Sequence, residues 1–209
     1  MTEAVHKREP GMSTTNCIPG RQAGVAMMES LMAMAVLLVG LLGIVGLQAK
    51  TQTSHFEAYQ RAQALLLLDD MVNRITANRY AAPCYAVTGA GGVPYLGTDG
   101  ADHRGNTTCT AVTGTIQTRT IAERGMGEWD TLLKGAAELD GSLSNAGAMI
   151  GARGCVSFDP VTDLYTVVVV WQGMVPTMAP AVDCANGAYG PDTQRRAVST
   201  TVRIAKLTN

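Results

Sequence analysis

The stretch from Val25 to Leu47 reads VAMMESLMAMAVLLVGLLGIVGL, and it limits the architectures open to the rest of the chain. It contains 23 residues and a single charge, on Glu29. At a rise of about 1.5 Å per residue it forms a helix of about 35 Å, which is enough to cross a bilayer. We therefore expect one membrane-spanning helix over residues 25–47.

The basic residues near this stretch indicate its orientation. Lys7, Arg8 and Arg21 precede it, and only Lys50 follows closely. Positively charged flanks stay in the cytoplasm, so the N-terminus is expected there and the rest of the chain outside. A secretory signal peptide is the alternative, but its apolar core is shorter, about 7 to 15 residues. The nearest small-x-small cleavage site, Leu47-Gln48-Ala49, also has Leu where a small residue is needed.

An amphipathic helix is predicted directly after the apolar stretch. Apolar residues recur there at steps of three or four, which is typical of one helical stripe. The stripe comprises Ala58, Ala62, Leu65, Leu68, Val72 and Ile75. Because the sequence has no Pro or Gly between Leu47 and Arg79, we expect one continuous helix over residues 25–78, about 80 Å long. The stripe is expected to dock a globular head of residues 79–209.

The clearest β signal in the head is a hairpin. Gly154–Phe158 and Leu164–Trp171 are predicted strands on either side of the turn DPVTD. In the second strand Tyr165, Val167, Val169 and Trp171 alternate with Val168 and Val170. Since both sets are apolar, this strand is expected to be central and covered on both faces.

Three weaker elements complete the expected fold. Residues 111–121 are predicted to form a strand, 128–139 a short helix and 194–206 a last strand. In the last strand Val198, Val202 and Ile204 are expected on one face, and Ser199, Thr201 and Arg203 on the other. The predicted fold class is α+β, with the long N-terminal helix packed on an antiparallel sheet.

Composition argues against several functions. The chain has 16 Lys plus Arg against 17 Asp plus Glu, and charged residues make up 16% of it. This balance is not typical of a nucleic-acid binder or of a disordered chain. The sequence has no G-x-S-x-G, phosphate-loop or C-x-x-C motif, so it predicts no catalytic residue and no cofactor.

One cluster of polar residues contains Asp and His, side chains that can bind metal ions. Asp99, Asp102 and His103 lie together in TDGADHRGN, where we expect a solvated turn and no metal. The other histidines, His6 and His55, lie far from this cluster in sequence.

The residues around the start of the apolar stretch resemble a processing signal of a known protein family. Gly24 precedes Val25, Glu29 is the fifth residue after that bond, and Arg21 lies just upstream. This pattern resembles the class III signal of type IV prepilins and pseudopilins. The resemblance implies that residues 1–24 are a leader, that a membrane prepilin peptidase cleaves after Gly24, and that it methylates the new N-terminus at Val25. Members of this family usually have Phe or Met there.

The similarity extends to the PilV-like minor pilins. Their first helix is similar to GLLGIVGLQ at 40–48 and to residues 64–79, which include DMVNR and ANR. Trp129, Gly154-Cys155-Val156 and the strand 165–171 also look like theirs. The resemblance implies a pilin fold and a minor subunit of the type IV pilus, acting in its priming or tip complex in pilus biogenesis. Its implied partners are the prepilin peptidase, the inner membrane, and other minor pilins and the major pilin through the N-terminal helix.

The resemblance also gives Glu29 a role. Placing an unpaired carboxylate in the interior of a membrane costs a free energy of about 3 kcal/mol or more. Pairing with the α-amino group of a neighbouring subunit would satisfy Glu29 and set the axial register of each incoming helix. The simpler alternative is that Glu29 lies near the cytoplasmic interface and has no role.

Gly40, Gly43 and Gly46 recur every three residues in the apolar helix. They have two interpretations. Small residues let helix backbones approach closely, so the glycines would form a packing seam against other pilins. Glycine also weakens helices, so they would let the segment unwind when it enters the filament.

Five cysteines are an odd number for an exported protein. Cleavage after Gly24 would remove Cys17, and the other four would permit three pairings in an oxidising compartment. Pairing Cys84 with Cys109 and Cys155 with Cys184 is favoured because each disulfide closes a Gly-rich or Pro-rich loop. Each cross-link is worth about 3 kcal/mol.

Three other functions are compatible with the sequence. A minor pseudopilin of a type II secretion system shares the leader and helix, and gene neighbourhood would separate it from a pilin. A single-pass anchored periplasmic enzyme or binding domain would keep an intact N-terminus. A major pilin would be abundant in sheared filaments.

Overall fold

The computed structural model of the chain describes residues 25–100, 109, 114–136 and 149–205. Their contacts divide the chain into two compact units, Met1–Ala49 and Lys50–Asn209. The first helix, α1 (Val25–Ala77), contains 53 residues and contributes to both units. In the first unit, every residue from Val25 to Ala49 is helical. The predicted helix over residues 25–78 is therefore confirmed to within one residue of its end.

The second unit is an α+β head with one antiparallel sheet. Its strands are β1 (Leu96–Gly97), β2 (Arg153–Asp159), β3 (Leu164–Gln172) and β4 (Arg195–Val202). They lie in the order β1-β2-β3-β4, and each neighbouring pair is antiparallel. The head also contains α2 (Ile116–Leu133). Short 3₁₀ helices occur at Arg79–Tyr85, Ala90–Gly92 and Asp192–Gln194.

The predicted hairpin is confirmed, including the faces of its second strand. β2 and β3 pair from Arg153↔Val170 to Asp159↔Leu164. The first alternating set of β3 lies in the main core, together with α2 and the part of α1 that belongs to the head. Val168 and Val170 lie in a second cluster on the other face, with Cys155, Cys184 and Tyr189. β3 has a strand on each side, so it is central as predicted.

The buried stripe of α1 differs in part from the predicted one. Leu68 and Ile75 are buried and Val72 is partly buried, as expected. Ala58, Ala62 and Leu65 are exposed instead. The buried residues of α1 are Gln60, Ala64, Leu68, Met71 and Ile75. The predicted stripe was chosen from apolar residues, but near its start the buried position on α1 is occupied by a polar residue, Gln60. The apolar pattern therefore did not follow the buried face there.

The predicted strand over residues 111–121 is wrong from Ile116 onward, where α2 begins; residues 111–113 lie outside the described residues. The alternation in TIQTRT resembles a strand, but the Thr115 side chain caps the helix by accepting a hydrogen bond from the Thr118 N–H. The helical period becomes visible only later, in Ala122, Met126, Trp129 and Leu133, which are all buried. The predicted helix over 128–139 is therefore the end of a longer helix that stops at Leu133, and residues 137–139 are not described.

The last strand is present but shorter than predicted. β4 covers Arg195–Val202, whereas Gln194 belongs to a 3₁₀ helix and Lys206 lies outside the described residues. Its faces agree with the prediction. Val198 is buried in the main core and Val202 packs against it, whereas Ser199 and Thr201 are exposed.

Candidate assembly site

The apolar segment Val25–Ala49 is exposed at every residue. Its most apolar window has a mean hydropathy of 2.5, and none of that window is buried. Apolar surface of this extent is unfavourable in water, so it marks a contact with a membrane or with other proteins. The helix is long and apolar enough to cross a membrane.

Glu29 is the only charged residue in this segment. It is exposed and has no ion-pair partner among the residues that the structure describes. A cation that neutralises Glu29 in an apolar environment must therefore come from outside the described part of the chain.

The predicted cleavage site lies at the edge of the described chain. Val25 is the first residue of α1, and 70% of its surface is exposed. Gly24 and Cys17 lie outside the described residues.

In the described part of the chain, no other element packs against the three glycines of the apolar segment. A Cβ atom placed on Gly40, Gly43 or Gly46 would meet no heavy atom within 4 Å. Alanine would fit at each position and is a better helix former by about 1 kcal/mol. The fold of this chain therefore does not require glycine there, and both interpretations of these residues involve something outside the chain.

The structure contains both favoured disulfides. Cys84 pairs with Cys109 across 25 residues, and Cys155 pairs with Cys184 across 29. The first lies in the main core and the second in the cluster on the other face of the sheet. Each therefore fixes one covering layer of the sheet.

Of the three polar residues Asp99, Asp102 and His103, the structure describes only Asp99. Its carboxylate accepts a hydrogen bond from Arg153 at 3.1 Å, whereas Asp102 and His103 lie outside the described residues. In the described part of the chain, no group of three His, Cys, Asp or Glu side chains is arranged to hold a metal ion. His55 is exposed on α1.

An aromatic and cationic cluster that the sequence does not predict lies on the outer face of the sheet, the face that carries Val168 and Val170. The Arg153 guanidinium lies 4.5 Å from the ring centroid of Tyr189 and 5.4 Å from that of Tyr95. The Tyr189 hydroxyl donates to the carbonyls of Gly151 and Val170, at 2.7 and 3.2 Å. Burial raises the pKa of Tyr189 to about 12, against the opposing effect of Arg153. These residues are far apart in sequence, so no local pattern could have connected them.

A second buried arginine organises the segment before β4. Arg195 is 1% exposed and forms an ion pair with Asp192. It also donates to the backbone carbonyls of Pro180, Val182 and Cys184. The Arg195 guanidinium holds the pKa of Asp192 below its usual range. A charged residue at the start of a strand gives no sign of this role in the sequence.

The head contains a cavity of about 340 Å³ beside the 54–61 segment of α1 and the adjoining ends of β3 and β4. Its lining residues are Ser54, Glu57, Ala58, Arg61, Trp171, Arg196 and Ala197. The Trp171 indole N–H is buried and has no hydrogen-bond partner. The Gln60 amide group, on the same segment of α1, is also buried without a partner. Each unpaired buried polar group costs about 1 to 3 kcal/mol.

Comparisons of the chain with protein families, with curated proteins and with solved structures found no match.

Proposed function

We propose that this chain is a minor pilin, a structural subunit that a prepilin peptidase cleaves after Gly24 and that joins a type IV pilus through α1. The observation that carries the proposal is the exposed apolar segment with one carboxylate. Glu29 would be the fifth residue of the cleaved chain, within interaction distance of the terminus of a neighbouring subunit. In the proposal the protein is a substrate of the peptidase and not an enzyme.

The proposal places the chain in two locations in succession. Before assembly, residues 25–47 cross the inner membrane, with the N-terminus in the cytoplasm and the head in the periplasm. After assembly, the same segment packs against other minor pilins and the major pilin in the priming or tip complex. The two disulfides support exposure of the head to an oxidising compartment.

Glu29 connects the two locations. An unpaired carboxylate is unfavourable in hydrocarbon, and the new α-amino group of an adjacent subunit is a suitable cation. Pairing would occur only when the helices have the correct axial offset. Glu29 would thereby select the register of assembly.

The first experiment is mass spectrometry of the N-terminus, using protein from a host that has its native prepilin peptidase. We expect a chain that begins at Val25, with or without one added methyl group. Gly24→Lys is expected to leave the chain uncut, whereas Gly20→Ala, a change elsewhere in the leader, is expected to leave cleavage normal. A wild-type chain that begins at Met1 would contradict the proposal and favour an anchored periplasmic domain.

The second experiment tests Glu29. Glu29→Ala is expected to permit cleavage but to reduce incorporation into sheared pili, because the buried amine loses its partner. Glu123→Gln is a matched control, since Glu123 is exposed on α2. Normal incorporation of the Glu29 variant would exclude the proposed role.

A third observation separates a pilus from a secretion system. Deletion of the gene is expected to reduce surface pili and leave type II secretion unchanged. The opposite result would identify a minor pseudopilin. High abundance in sheared filaments would instead indicate a major pilin.

A further inference from the structure

β4 is the last strand of the sheet, and it pairs on one side only. Among the described strands its neighbour is β3. The Gly173 N–H donates to the Gln194 carbonyl at 2.8 Å, and this pair continues the register of β3 and β4. Hydrogen-bonded and non-hydrogen-bonded pairs alternate along an antiparallel ladder. The even-numbered residues of β4 therefore bond to β3, and the backbone groups of the odd-numbered residues point away from it.

The outward backbone groups of β4 are unpaired. The N–H and C=O groups of Ala197, Ser199 and Thr201 have no partner in the described part of the chain. Ser199 and Thr201 are exposed. Just before β4 the same edge is occupied, because the Thr177 N–H donates to the Thr193 carbonyl at 2.8 Å. That contact shows that this edge pairs with an extended backbone where one is present.

The edge also lacks the features with which natural sheets prevent further pairing. Those features are charged side chains, Pro and bulges. Residues 197–202 read AVSTTV and contain no charge, Pro or Gly. Their register with β3 continues without a bulge. Val and Thr are moreover residues that favour strands.

An exposed apolar loop adjoins this edge. Residues 173–177 read GMVPT, and the exposed fractions of Met174 and Val175 are 53% and 50%. The loop is held in place by its backbone, since the Val175 carbonyl accepts a hydrogen bond from Arg196 and the Met174 N–H donates to Glu57. Its apolar side chains are therefore presented to solvent beside the first residues of β4. Exposed apolar surface of this kind is typical of a contact with another protein.

We propose that the open edge of β4 binds an extended strand of another protein subunit, with the loop 173–177 as a second contact. The spacing of the unpaired groups decides the class of ligand. An outward N–H and C=O recur every second residue, about 7 Å apart, and an extended peptide has the same repeat. In strand addition of this type, main-chain hydrogen bonds supply affinity and alternate side chains supply specificity.

The two faces of β4 define the side chains of the added strand. Val198 and Val202 lie on the core face, where Val202 is only partly buried, and Ser199 and Thr201 lie on the other face. Neighbours on one face of adjacent strands contact each other. The added strand is therefore expected to alternate apolar residues, on the core face, with small polar ones. The choice of a different subunit rests on the proposed function, in which a minor pilin is surrounded by other chains, whereas the open edge does not.

A model strand tests the edge directly. The full chain, isotope-labelled and held in neutral maltoside micelles, would be titrated with the peptide Thr-Val-Thr-Val-Thr-Val-Thr, which has a Glu added at each end for solubility. We expect the amide signals of Ala197, Ser199 and Thr201 to shift and their exchange with solvent to slow. The same peptide with its internal backbone nitrogens methylated has no donors and is expected to shift none of them. Absence of a shift with the first peptide, or equal shifts with both, would overturn the proposal.

Two substitutions at one position separate the backbone from the side chain. Ser199→Pro removes an outward N–H without removing a bond to β3, and Pro is tolerated on the open side of an edge strand. It is expected to weaken peptide binding at least about tenfold, whereas Ser199→Ala keeps the N–H and is expected to bind normally. The Trp129 indole N–H, which donates to the Leu67 carbonyl, gives a signal that reports whether each variant is folded. Unchanged binding by the folded Pro variant would exclude the edge.

Cross-linking in assembled pili tests the identity of the partner. A photo-reactive phenylalanine derivative at Ser199 is expected to cross-link to a different subunit that has its own class III signal. The same derivative at Thr131, exposed on α2, is expected not to. A cross-link to a second copy of this chain, or equal cross-linking from both positions, would overturn the choice of partner.

Substitutions of exposed valines test the loop. Val175→Ser is expected to lower the yield of the cross-link from Ser199, whereas Val161→Ser, at the turn between β2 and β3, is expected to leave it unchanged. Equal yields would exclude the loop from the contact. A chain whose N-terminus is uncut would count against the minor pilin and the different subunit, while the peptide titration would still decide whether the edge binds a strand.

Discussion

Trp129 connects three elements of the head through one side chain. It lies on α2, its indole N–H bonds the Leu67 carbonyl on α1, and its ring lies against β2 at Gly154. A Cβ atom on Gly154 would lie 2.2 Å from the ring atom Cη2 of Trp129. Glycine at this strand position therefore makes room for the tryptophan.

We expect Gly154→Ala to destabilise the head by about 1 to 3 kcal/mol, the usual cost of overpacking a core. Denaturant unfolding of the full chain in neutral detergent would measure the change. Gly89→Ala is the control, because its Cβ would meet its nearest neighbour at an ordinary 3.5 Å. Equal stability of the two variants would show that Trp129 moves aside without cost.

Tyr189 predicts a pH dependence at the alkaline end. Its pKa is raised from the ordinary 10.0 to about 12, chiefly by burial, so the folded protein retains a proton that the unfolded chain releases. Stability from this group is fully present below pH 10 and is lost as the pH rises towards 12, at most about 1.4 kcal/mol per pH unit.

We therefore expect Tyr189→Phe to reduce the fall in unfolding free energy between pH 10 and 12. Burial also raises the pKa of Tyr85 and Tyr165, so part of the slope is expected to remain. Denaturant unfolding at several pH values measures the slope, and Tyr80→Phe, at an exposed tyrosine, is the control. An unchanged slope in the Tyr189 variant would contradict the assignment.

Helices and strands with a clear hydrophobic period in their own sequence could be predicted. Those whose structure depends on contacts with residues far away in sequence could not. The hairpin of β2 and β3 follows from alternation and a turn sequence within one window. α2 was missed at its start because its first residues are β-branched at alternate positions, and the residues that make it helical pack against elements far away in sequence. The buried stripe of α1 shifted because its Gln60 is covered by the rest of the head.

The glycines of α1 give a prediction for one element. Changing Gly40, Gly43 and Gly46 to Ala together is expected to raise the stability of the apolar helix by about 1 kcal/mol per site. Amide hydrogen exchange in micelles would measure this as slower exchange around the three sites. If the glycines serve unwinding or close packing in the filament, pilus incorporation of the cleaved variant falls. Normal incorporation would leave both interpretations without support.

At the scale of the whole molecule, the α+β class, the exposed apolar segment and the disulfide pairing could be predicted because composition and spacing carry them. The cavity, the Arg153 cluster and the Arg195 contacts could not, because each assembles residues from several segments. Glu29 was recognised only because an isolated charge in an apolar run is conspicuous.

The redox state of the head tests export of the whole chain. Full-length protein is expected to have all four head cysteines protected from alkylation, because export allows both disulfides to form. Deletion of residues 25–47 is expected to retain the head in the cytoplasm with all 5 cysteines of the sequence alkylated. Mass spectrometry after alkylation counts the modified thiols. Protected cysteines in the deletion variant would show that another segment directs export.

The contacts of Arg195 have a consequence for the evolution of the head. The guanidinium holds the preceding segment by its backbone carbonyls, and every amino acid supplies a carbonyl. The exposed side chains of Met178, Ala179 and Ala181 take no part in these bonds. The side chains of this part of the surface are therefore free to change while the sheet beneath it keeps its shape.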